Sequence, residues 1–395
     1  MTALAPAPEL ALAHPAPAAA RTFKVEVLHG LAAAESVWRG LEADGAGSPY
    51  QRFDWQTAYV EAMGASDAFE ACAILVRDAS GRPCLLLPLT IARRQGLRIA
   101  SPVGGKHANY HLPLIGAGTA LPSPSELRAI LREAGRALSI DAYAFANLPL
   151  AWDGLANPLA EGGRPSPSNG YRLALDPDAE ATLQRVLSKD ARKKLRQKDK
   201  KLREQGAIAH RVAGTPEDVD AILSAFFAQK RERFREMGIP NPFEDGPTQS
   251  FLRAACLAGL AEDRPAIELH ALMMGERVLA VFGGAVDAAR CCGMFTSFDP
   301  DPEVAKSSPG ELLMLDVIRH QCREGRRVFD LGVGEARYKN SLCDEVEELV
   351  DVMLPVTARG YLYAAALAAF LRAKRTMKQT PWLWQLFTRL RARLG

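Results

Sequence analysis

Apolar positions recur along this chain with two periods, one of two residues and one of three to four, and they outline two similar halves. In the first half, FKVEVL alternates like a strand and LAAAESVWRGLEAD repeats like a helix. The run FEACAILVRDASGRPCLLLPLTI has two apolar stretches around the turn residues 78–81, which predicts a β-hairpin. A helix over 125–138 and a strand in AYAFANLP complete an α/β lobe.

The second half repeats this order. After YRLALD and two helices, three apolar runs (AIELHALMM, VLAVFGGAV and RCCGMFTSF) are separated by turn residues, which predicts an antiparallel meander. The helical ELLMLDVIRHQCREG, the strand RRVFDLGVG and the strand VEELVDVMLPV follow. The predicted fold class is therefore α/β (α+β), with two tandem lobes that each hold a mixed, mostly antiparallel sheet flanked by helices.

Composition shifts divide the chain into four segments. Residues 1–20 are rich in Ala and Pro and contain no Lys or Arg, which predicts a disordered tail. A stretch rich in Pro, Gly, Ser and Asn over 157–170 predicts a boundary between a first lobe, 21–160, and a second lobe, 171–360. Residues 361–395 combine basic and apolar residues, which predicts an amphipathic helical tail that either lies on an anionic membrane or packs on its own lobe.

Charge and cysteine usage narrow the class of protein. A net charge of +3 over 395 residues does not identify a nucleic-acid binder, so any basic surface must come from local clusters. The seven cysteines form no CxxC pair, which argues against a disulfide framework and a zinc site, and no metal is expected. The start lacks a basic secretory signal, and the apolar run 361–371 is too short to span a bilayer. These features predict a cytoplasmic protein, with peripheral contact at the inner membrane face through the tail as an option.

The turn at 307–311, SSPGE, is a candidate phosphate site. A helix that begins after a turn rich in Ser and Gly leaves backbone N–H groups unpaired, and its dipole favours an anion there. The N–H groups of Gly310, Glu311 and Leu312 would then bind a pyrophosphate. The same residues also fit an ordinary helix start, with Ser308 as N-cap and Glu311 closing a capping box.

Three segments carry a family resemblance. LSKDARKKLRQKDKKLREQG, SFDPDPEVAKSSPGELLMLDVI and FDLGVGEARYKNSLCDE resemble, in this order, the FemAB-like and CelD-type acyltransferases of the GNAT superfamily. The resemblance covers most of 171–355 and implies two GNAT-like lobes, the second of which binds acyl-CoA. It implies an N-acyltransferase that uses acetyl-CoA as co-substrate and acts on an amino sugar or a cell-envelope or exopolysaccharide precursor. Two alternatives stay open: an aminoacyl-tRNA-dependent FemAB-type transferase, and a catalytically silent scaffold of polysaccharide biosynthesis.

The resemblance also implies how the donor is held. The pantetheine arm would pair with a strand splayed from its neighbour, here Met294, Phe295 and Thr296, and the thioester carbonyl would face a backbone N–H. The phosphates would lie at the turn described above, which adds Ser307 and Ser308 to the candidate donor site. Tyr338, directly after the next strand, would donate a proton to the leaving thiolate.

The catalytic base is less clearly marked. Asp330 and Glu335 flank the end of the strand FDLGVGE, where either carboxylate could face the cleft. Lys339 is a candidate for binding a phosphate or an acidic acceptor. His270 lies within a predicted meander strand and is held in reserve as a substrate-binding residue, because a buried structural histidine is the simpler interpretation.

A strongly basic helix precedes the meander. The run 185–203 contains ten basic residues, while Leu183, Leu187, Leu195 and Leu202 share one helical face. One side of this helix is expected to pack, and the other is cationic. The cationic side fits either a solvated surface or a landing site for an anionic glycan acceptor, a lipid-linked sugar or, less favoured, tRNA.

Overall fold

A computed structural model describes residues 23–379 of the chain. The predicted tail at 1–20 and the part of the predicted helical tail beyond 379 lie outside the described residues. The helices are α1 (Glu35–Asp44), α2 (Phe53–Asp67), α3 (Pro124–Ala137), α4 (Ala179–Val186), α5 (Lys189–Arg203), α6 (Pro216–Met237), α7 (Gly246–Leu257), α8 (Pro302–Ala305), α9 (Pro309–Arg323), α10 (Arg337–Leu342) and α11 (Ala358–Gln379).

The strands are short in the connections and long in the meanders. They are β1 (Lys24–His29), β2 (Phe69–Arg77), β3 (Pro83–Arg94), β4 (Leu97–Pro102), β5 (Leu114–Ile115), β6 (Ala142–Pro149), β7 (Ala151–Trp152), β8 (Leu155–Ala156), β9 (Arg164–Pro165), β10 (Gly170–Ala174), β11 (Ile208–Val212), β12 (Ile267–Met274), β13 (Arg277–Val286), β14 (Arg290–Phe298), β15 (Val328–Val333), β16 (Glu345–Glu347) and β17 (Leu349–Pro355).

Two large sheets have the same strand order and the same directions. The first runs β1-β2-β3-β4-β6-β17-β9, with β5 added beside β3, and the second runs β11-β12-β13-β14-β15-β10-β16. In each, the fourth and fifth strands are parallel and all other neighbours on these paths are antiparallel. The predicted fold class, two tandem lobes with mixed, mostly antiparallel sheets, is confirmed.

The two lobes exchange a strand. β17 follows the second lobe in sequence but pairs with β6 of the first sheet, and β10, at the boundary of the predicted lobes, pairs with β15 and β16 of the second. The predicted segment 171–360 therefore contains a strand of the other lobe. Pairing satisfies the backbone groups that the edge of β6 would otherwise expose. The exchange ties the lobes together through backbone hydrogen bonds.

Side chains reinforce this tie. Helices α2 and α7 pack together across the lobes, where the rings of Trp55 and Phe251 lie 5.0 Å apart edge to face, and one buried apolar cluster contains residues of both lobes. The Arg52 guanidinium donates to the carbonyls of Pro265 at 2.7 Å and Val286 at 2.8 Å. The interface is thus a continuous core with buried polar ties.

The basic run forms two helices, α4 and α5, which divide at Ser188, the N-cap of α5. Leu183, Leu187 and Leu202 are buried in the cluster that contains α9, while most of the lysines of α5 are exposed, so the apolar and cationic sides are those predicted. Between residues 23 and 379, none of the helices has the length and apolarity needed to cross a membrane.

Candidate active site at the split between β14 and β15

The parallel pair β14 and β15 separates partway along its length. The ladder joins only Arg290, Cys291 and Cys292 of β14 to β15, whereas β14 stays paired with β13 as far as Phe298. A β-bulge lies at the point of separation. Gly293 and Phe295 pair with consecutive residues of β13, so Met294 between them is the extra, unpaired residue. The edge of β14 beyond this bulge is therefore open toward β15, at the place where the resemblance implies a splayed strand.

The bulge determines which side chains of β14 beyond Met294 face α6 and which face α9. Phe295 and Ser297 face α6: the Phe295 ring lies 4.6 Å from that of Phe226, and the Ser297 Oγ donates to Gln229 Oε1 at 2.7 Å. Thr296 pairs with Phe282, whose side chain packs in the cluster of α9, and is itself exposed. Thr296 thus lines the open edge on the side of α9, whereas Phe295 is a core residue there.

The first lobe inserts Asn109 into the base of the split. Its Nδ2 donates to Gly293 O at 3.0 Å and to the Tyr50 hydroxyl at 2.6 Å, and its Oδ1 accepts from Val333 N at 3.2 Å. The amide thereby bonds to backbone groups of both separated strands. Gly332 makes room for it: its φ is +75°, and a Cβ there would lie 2.6 Å from Asn109 Nδ2.

Asp330 lies at the last parallel pair before the split, opposite Cys292. Its side chain is buried and accepts from the Tyr110 hydroxyl of the first lobe at 2.7 Å and from Gly332 N at 2.5 Å. Desolvation raises the pKa of Asp330 to about 6, although both hydrogen bonds oppose the shift. Burial and the nearby Asp330 charge raise the pKa of Tyr110, so the phenol keeps its proton. A carboxylate that titrates near neutrality suits proton transfer.

The start of α9 differs from the predicted helix start. Ser308 has φ +50°, in the left-handed region, and its side chain caps no N–H. The N–H groups of Glu311 and Leu312 bond to Ser308 O at 3.0 and 3.2 Å. Neither is therefore free to bind a phosphate, and the prediction that both would do so is wrong. Gly310 is the remaining predicted donor, because Pro309 has no N–H. Of the three backbone amides predicted to bind a pyrophosphate, only that of Gly310 stays available.

A lysine from the basic helix supplements this turn. Lys198 of α5 donates to Ser308 Oγ at 2.7 Å and to Glu311 Oε2 at 2.8 Å, which takes Glu311 away from the expected capping box. Ser307 is fully buried, and its Oγ has no partner among the described residues. A lysine paired with Glu311 and two hydroxyls therefore accompany the Gly310 N–H at the positive end of the α9 dipole.

Of the other candidates, Glu335 and Lys339 make structural contacts, and only the backbone of Tyr338 is described. Glu335 is exposed and accepts from Ser168 Oγ at 3.0 Å, and hydrogen bonds from its own N–H and from Ser168 lower its pKa. Lys339 is buried and donates to the carbonyls of Gly332 and Val333, which uses two of its three protons at the end of β15. The backbone of Tyr338 lies in α10, and its side chain is outside the described residues.

His270 does not lie at the split. It is fully buried on β12, two strands away from β14, where its Nε2 lies 2.8 Å from Glu268 Oε1 and its Nδ1 lies 3.0 Å from His210 Nε2. The simpler prediction, a hydrogen-bonded buried histidine, fits this position better than contact with a substrate at the split.

Sequence analysis missed three residues that the fold brings here: Asn109, Tyr110 and Lys198. Asn109 and Tyr110 stand in KHANYHLP, a segment whose mixed polar and aromatic composition marks a loop but not its partner. Lys198 is one of ten basic residues in its run, and only its contact with α9 distinguishes it. No local pattern identifies contacts between segments so far apart in sequence.

A comparison with known protein families gives a match within the second lobe. Residues 189–340 match the family model described as an acetyltransferase (GNAT) domain. No curated protein sequence matches the chain.

Solved structures match both lobes. The crystal structure of FemX matches with a TM-score of 0.59 at 10% identity, over 86% of this chain and 99% of that one. A conserved protein of unknown function from Bacteroides thetaiotaomicron matches with 0.51 at 10%, over 82% and 97%. A tandem GNAT protein from the clavulanic acid biosynthesis pathway gives 0.43 at 13%, over 85% and 99%. The first two show that the two-lobed fold is shared.

Proposed function

The chain carries a GNAT acetyltransferase domain and is an acyltransferase, and from this premise we propose that it transfers an acyl group from acyl-CoA to an amine. The observation that carries the proposal is the opening of β14 at Met294 toward β15, with the start of α9 at its far end. Gly310 lies there beside Phe298, the last residue of β14: a Cβ at Gly310 would lie 3.9 Å from that ring. An extended arm along β14 would therefore lead to an anion site.

The donor would occupy this edge. Its pantetheine amides would pair with the free backbone groups of β14 between Met294 and Phe298, and its pyrophosphate would meet Gly310 N–H and Lys198. The thioester would then lie at the bulge, where the Met294 N–H would stabilise the negative oxygen that forms during attack. That the transferred acyl group is an acetyl group is what the family resemblance implies.

The reaction needs two proton movements. The amine nitrogen attacks the carbonyl carbon, the C–S bond breaks, the amine loses a proton, and the thiolate gains one. Free amines have a pKa near ~10, so roughly one in a thousand is neutral at pH 7 and a base accelerates the attack. Asp330, reached through the Tyr110 hydroxyl, is our candidate for accepting the proton, and Tyr338 is the candidate for donating one to the thiolate.

Glu335 is the weaker candidate for the base. Its lowered pKa makes it a poor proton acceptor at neutral pH, and its carboxylate is already bound to Ser168 and to the N–H of Asn169. Because Asp330 bonds to Tyr110 across the lobe interface, the proposed acceptor would lie between the lobes. An amino sugar or an envelope or exopolysaccharide precursor is the acceptor class that the resemblance implies.

Calorimetric titration with acetyl-CoA tests the donor. We expect saturable binding that weakens as salt is raised, because the pyrophosphate contributes through charge. Pantetheine, which lacks the nucleotide, should bind more weakly. Absence of binding at millimolar acetyl-CoA would contradict the proposal, whereas binding that is unaffected by Lys198→Met would contradict only the position of the phosphates.

A second candidate is aminoacyl transfer from charged tRNA, which the FemAB resemblance implies. The observation that favours it is the cationic side of α5, where Lys189, Lys193, Lys194, Arg196, Lys200 and Lys201 are exposed next to α9. Replacing Lys193, Lys194 and Lys201 by Gln should weaken tRNA binding and reduce its salt slope if this candidate is right. Acetyl-CoA binding that survives this change, with no tRNA binding by the parent protein, would leave the first candidate alone.

A further inference from the structure

A polar cluster lies inside the second lobe, away from the split. Glu268 and His270 stand on β12, two residues apart and so on the same face of the sheet, and His320 reaches them from the C-terminal half of α9. Glu268 and His270 are buried, and 18% of the His320 side chain is exposed. Their ligand atoms all lie within 4.8 Å of one another. We propose that Glu268, His270 and His320 form a binding site for a divalent transition metal ion, Zn²⁺ above all.

The spacing of the donor atoms supports this proposal. His270 Nε2 lies 2.8 Å and His320 Nε2 lies 3.6 Å from Glu268 Oε1. Two ligands of a tetrahedral zinc ion, each bonded at about 2.0–2.1 Å, lie roughly 3.3 Å apart. The two separations from Oε1 bracket that value, and the two imidazole nitrogens lie within 4.8 Å of each other, so side-chain rotations would bring the three atoms onto one ion. Two imidazoles and a carboxylate suit zinc, and the partly exposed side of His320 leaves room for water as the fourth ligand.

The surrounding residues form the outer shell that such a site needs. His270 Nδ1 lies 3.0 Å from His210 Nε2, so with its proton on Nδ1 His270 can donate to His210 and present Nε2 to the ion. Gln321 Nε2 donates to Glu268 Oε1 at 2.5 Å. These contacts hold the imidazole and the carboxylate in place before an ion arrives.

Two contacts oppose a cation at Oε1: the charge of Arg326, and the Gln321 Nε2 donor, which also lies 3.4 Å from His270 Nε2 and would have to turn away when an ion binds. Arg326 Nη1 lies 2.9 Å from Glu268 Oε2 and 3.2 Å from Oε1, and the histidines and Gln321 approach the carboxylate at Oε1. The carboxylate is thus shared, with Oε2 nearer to the guanidinium and Oε1 facing the imidazoles. The Arg326 Nε also donates to Asp287 O at 3.1 Å, which keeps the guanidinium on its own side. The charge of Arg326 should weaken the site without blocking Oε1.

The ion would join three elements: β12 and α9 through the ligands, and β11 through His210. Because α9 also begins at the proposed phosphate turn, a metal at its other end would fix the helix on the sheet. This role depends only on the folded lobe and is independent of the proposed acyl transfer.

The test uses the full-length, untagged protein, stripped with a chelator and titrated with Zn²⁺ and separately with Co²⁺. We expect one ion per chain, a Co²⁺ absorption spectrum typical of tetrahedral coordination, and a rise in Tm with Zn²⁺. His320→Ala and Glu268→Gln should each lower the affinity by more than the roughly 10–100-fold that outer-shell changes cause, and His210→Ala should fall within that range.

His29→Ala is the matched control, because His29 is an exposed histidine at the end of β1 in the other lobe. It should bind Zn²⁺ like the parent. Circular dichroism of His320→Ala, which changes a partly exposed side chain, checks that the fold is kept. No saturable binding by the parent, or equal binding by folded His320→Ala and the parent, would overturn the proposal and leave the cluster as a hydrogen-bonded network.

Discussion

Each lobe has a long helix that begins with the same pattern, Ser-Pro-X-Glu, yet the two starts differ. At 123–126 the pattern forms a capping box: Ser123 Oγ accepts from Glu126 N, and Ser123 N donates to Glu126 Oε2 at 2.8 Å. At 308–311 no box forms, because Ser308 is left-handed and Glu311 binds Lys198. The first helix satisfies its own end, whereas the second keeps its end strained and charged.

This difference fits the proposal that the second lobe binds a ligand and the first does not. A left-handed residue other than Gly costs roughly 1–2 kcal/mol, and such strain persists where the surroundings enforce it, often at functional sites. The strands beside the two parallel pairs differ as well. In the second lobe β14 has a bulge at Met294 against β13, whereas in the first lobe β4 pairs with β3 without a bulge. Sequence similarity at one turn therefore does not predict similar use.

The largest expected effect on activity comes from replacing the buried Asp330. Asp330→Asn should lower turnover roughly 10²–10⁴-fold, because it removes the proposed base. In the parent, kcat/KM should fall as pH drops through about 6, where Asp330 becomes protonated. Asp141→Asn is the control, because Asp141 is a buried carboxylate of the first lobe that accepts from Arg98 N and the Thr357 hydroxyl. A similar loss in both variants would mean that the activity follows folding, not chemistry.

The stability of the fold should depend on pH in the opposite direction to the activity. The pKa of Asp330 is raised in the folded state, so the folded protein binds the proton more tightly and stability falls as pH rises from about 4 to about 6. Asp330→Asn relieves up to about 3 kcal/mol of this cost at pH 7, offset by weaker hydrogen bonds. At Asp141, desolvation is outweighed by hydrogen bonds and the pKa is lowered, so Asp141→Asn should destabilise at pH 7. Urea unfolding at pH 4 and pH 7 measures both.

Much of this architecture could be predicted from the sequence, because it depends on local patterns. The hairpin, the meander and the open edge at 294–297 follow from periodicity and from the family resemblance. The pairing of β17 with the first sheet could not be predicted, since its apolar pattern fits either sheet.

The candidate site shows the same limit. Asp330 and Gly310 were predicted from their own segments. Lys198 and Asn109 become candidates only through contacts with residues that are 113 and 224 positions away in the sequence, respectively. The wrong assignment of free amides at Glu311 and Leu312 has a local cause. The left-handed Ser308 turns its carbonyl to both N–H groups, and nothing in SSPGE distinguishes it from the self-capped SPSE of the first lobe.

The next effect concerns the charge at the strained turn. Lys198→Met should weaken acetyl-CoA binding roughly 10–100-fold, because a charge-assisted bond to phosphate contributes about 1.5–3 kcal/mol. Lys306→Met is the control, since Lys306 is an exposed lysine two residues before Ser308 that pairs with Glu303. Calorimetry at fixed ionic strength measures both variants. Equal losses would show that general positive potential, not Lys198, attracts the donor.

A smaller effect is expected at the residue that spans the split. Asn109→Ala leaves Gly293 O and Val333 N without their partner, so stability should fall by about 1–3 kcal/mol and kcat by roughly 10-fold as the base of the split loosens. Asn157→Ala is the control, because Asn157 is a buried amide of the first lobe that accepts from Leu159 N. It should lose stability and keep kcat per folded molecule. An unchanged kcat in Asn109→Ala would confine Asn109 to a structural role.

The smallest effect tests the comparison itself. Ser123→Ala removes a working N-cap and should lower the free energy of unfolding by about 1 kcal/mol, whereas Ser308→Ala removes a hydroxyl that caps no N–H and should cost clearly less. Only Ser308→Ala should change acetyl-CoA affinity, by a few-fold, since its hydroxyl holds Lys198 in place. Paired urea unfolding curves and titrations check this. Equal destabilisation would mean that Ser308 closes its capping box in solution, and the difference between the two helix starts would then no longer support ligand binding by the second lobe.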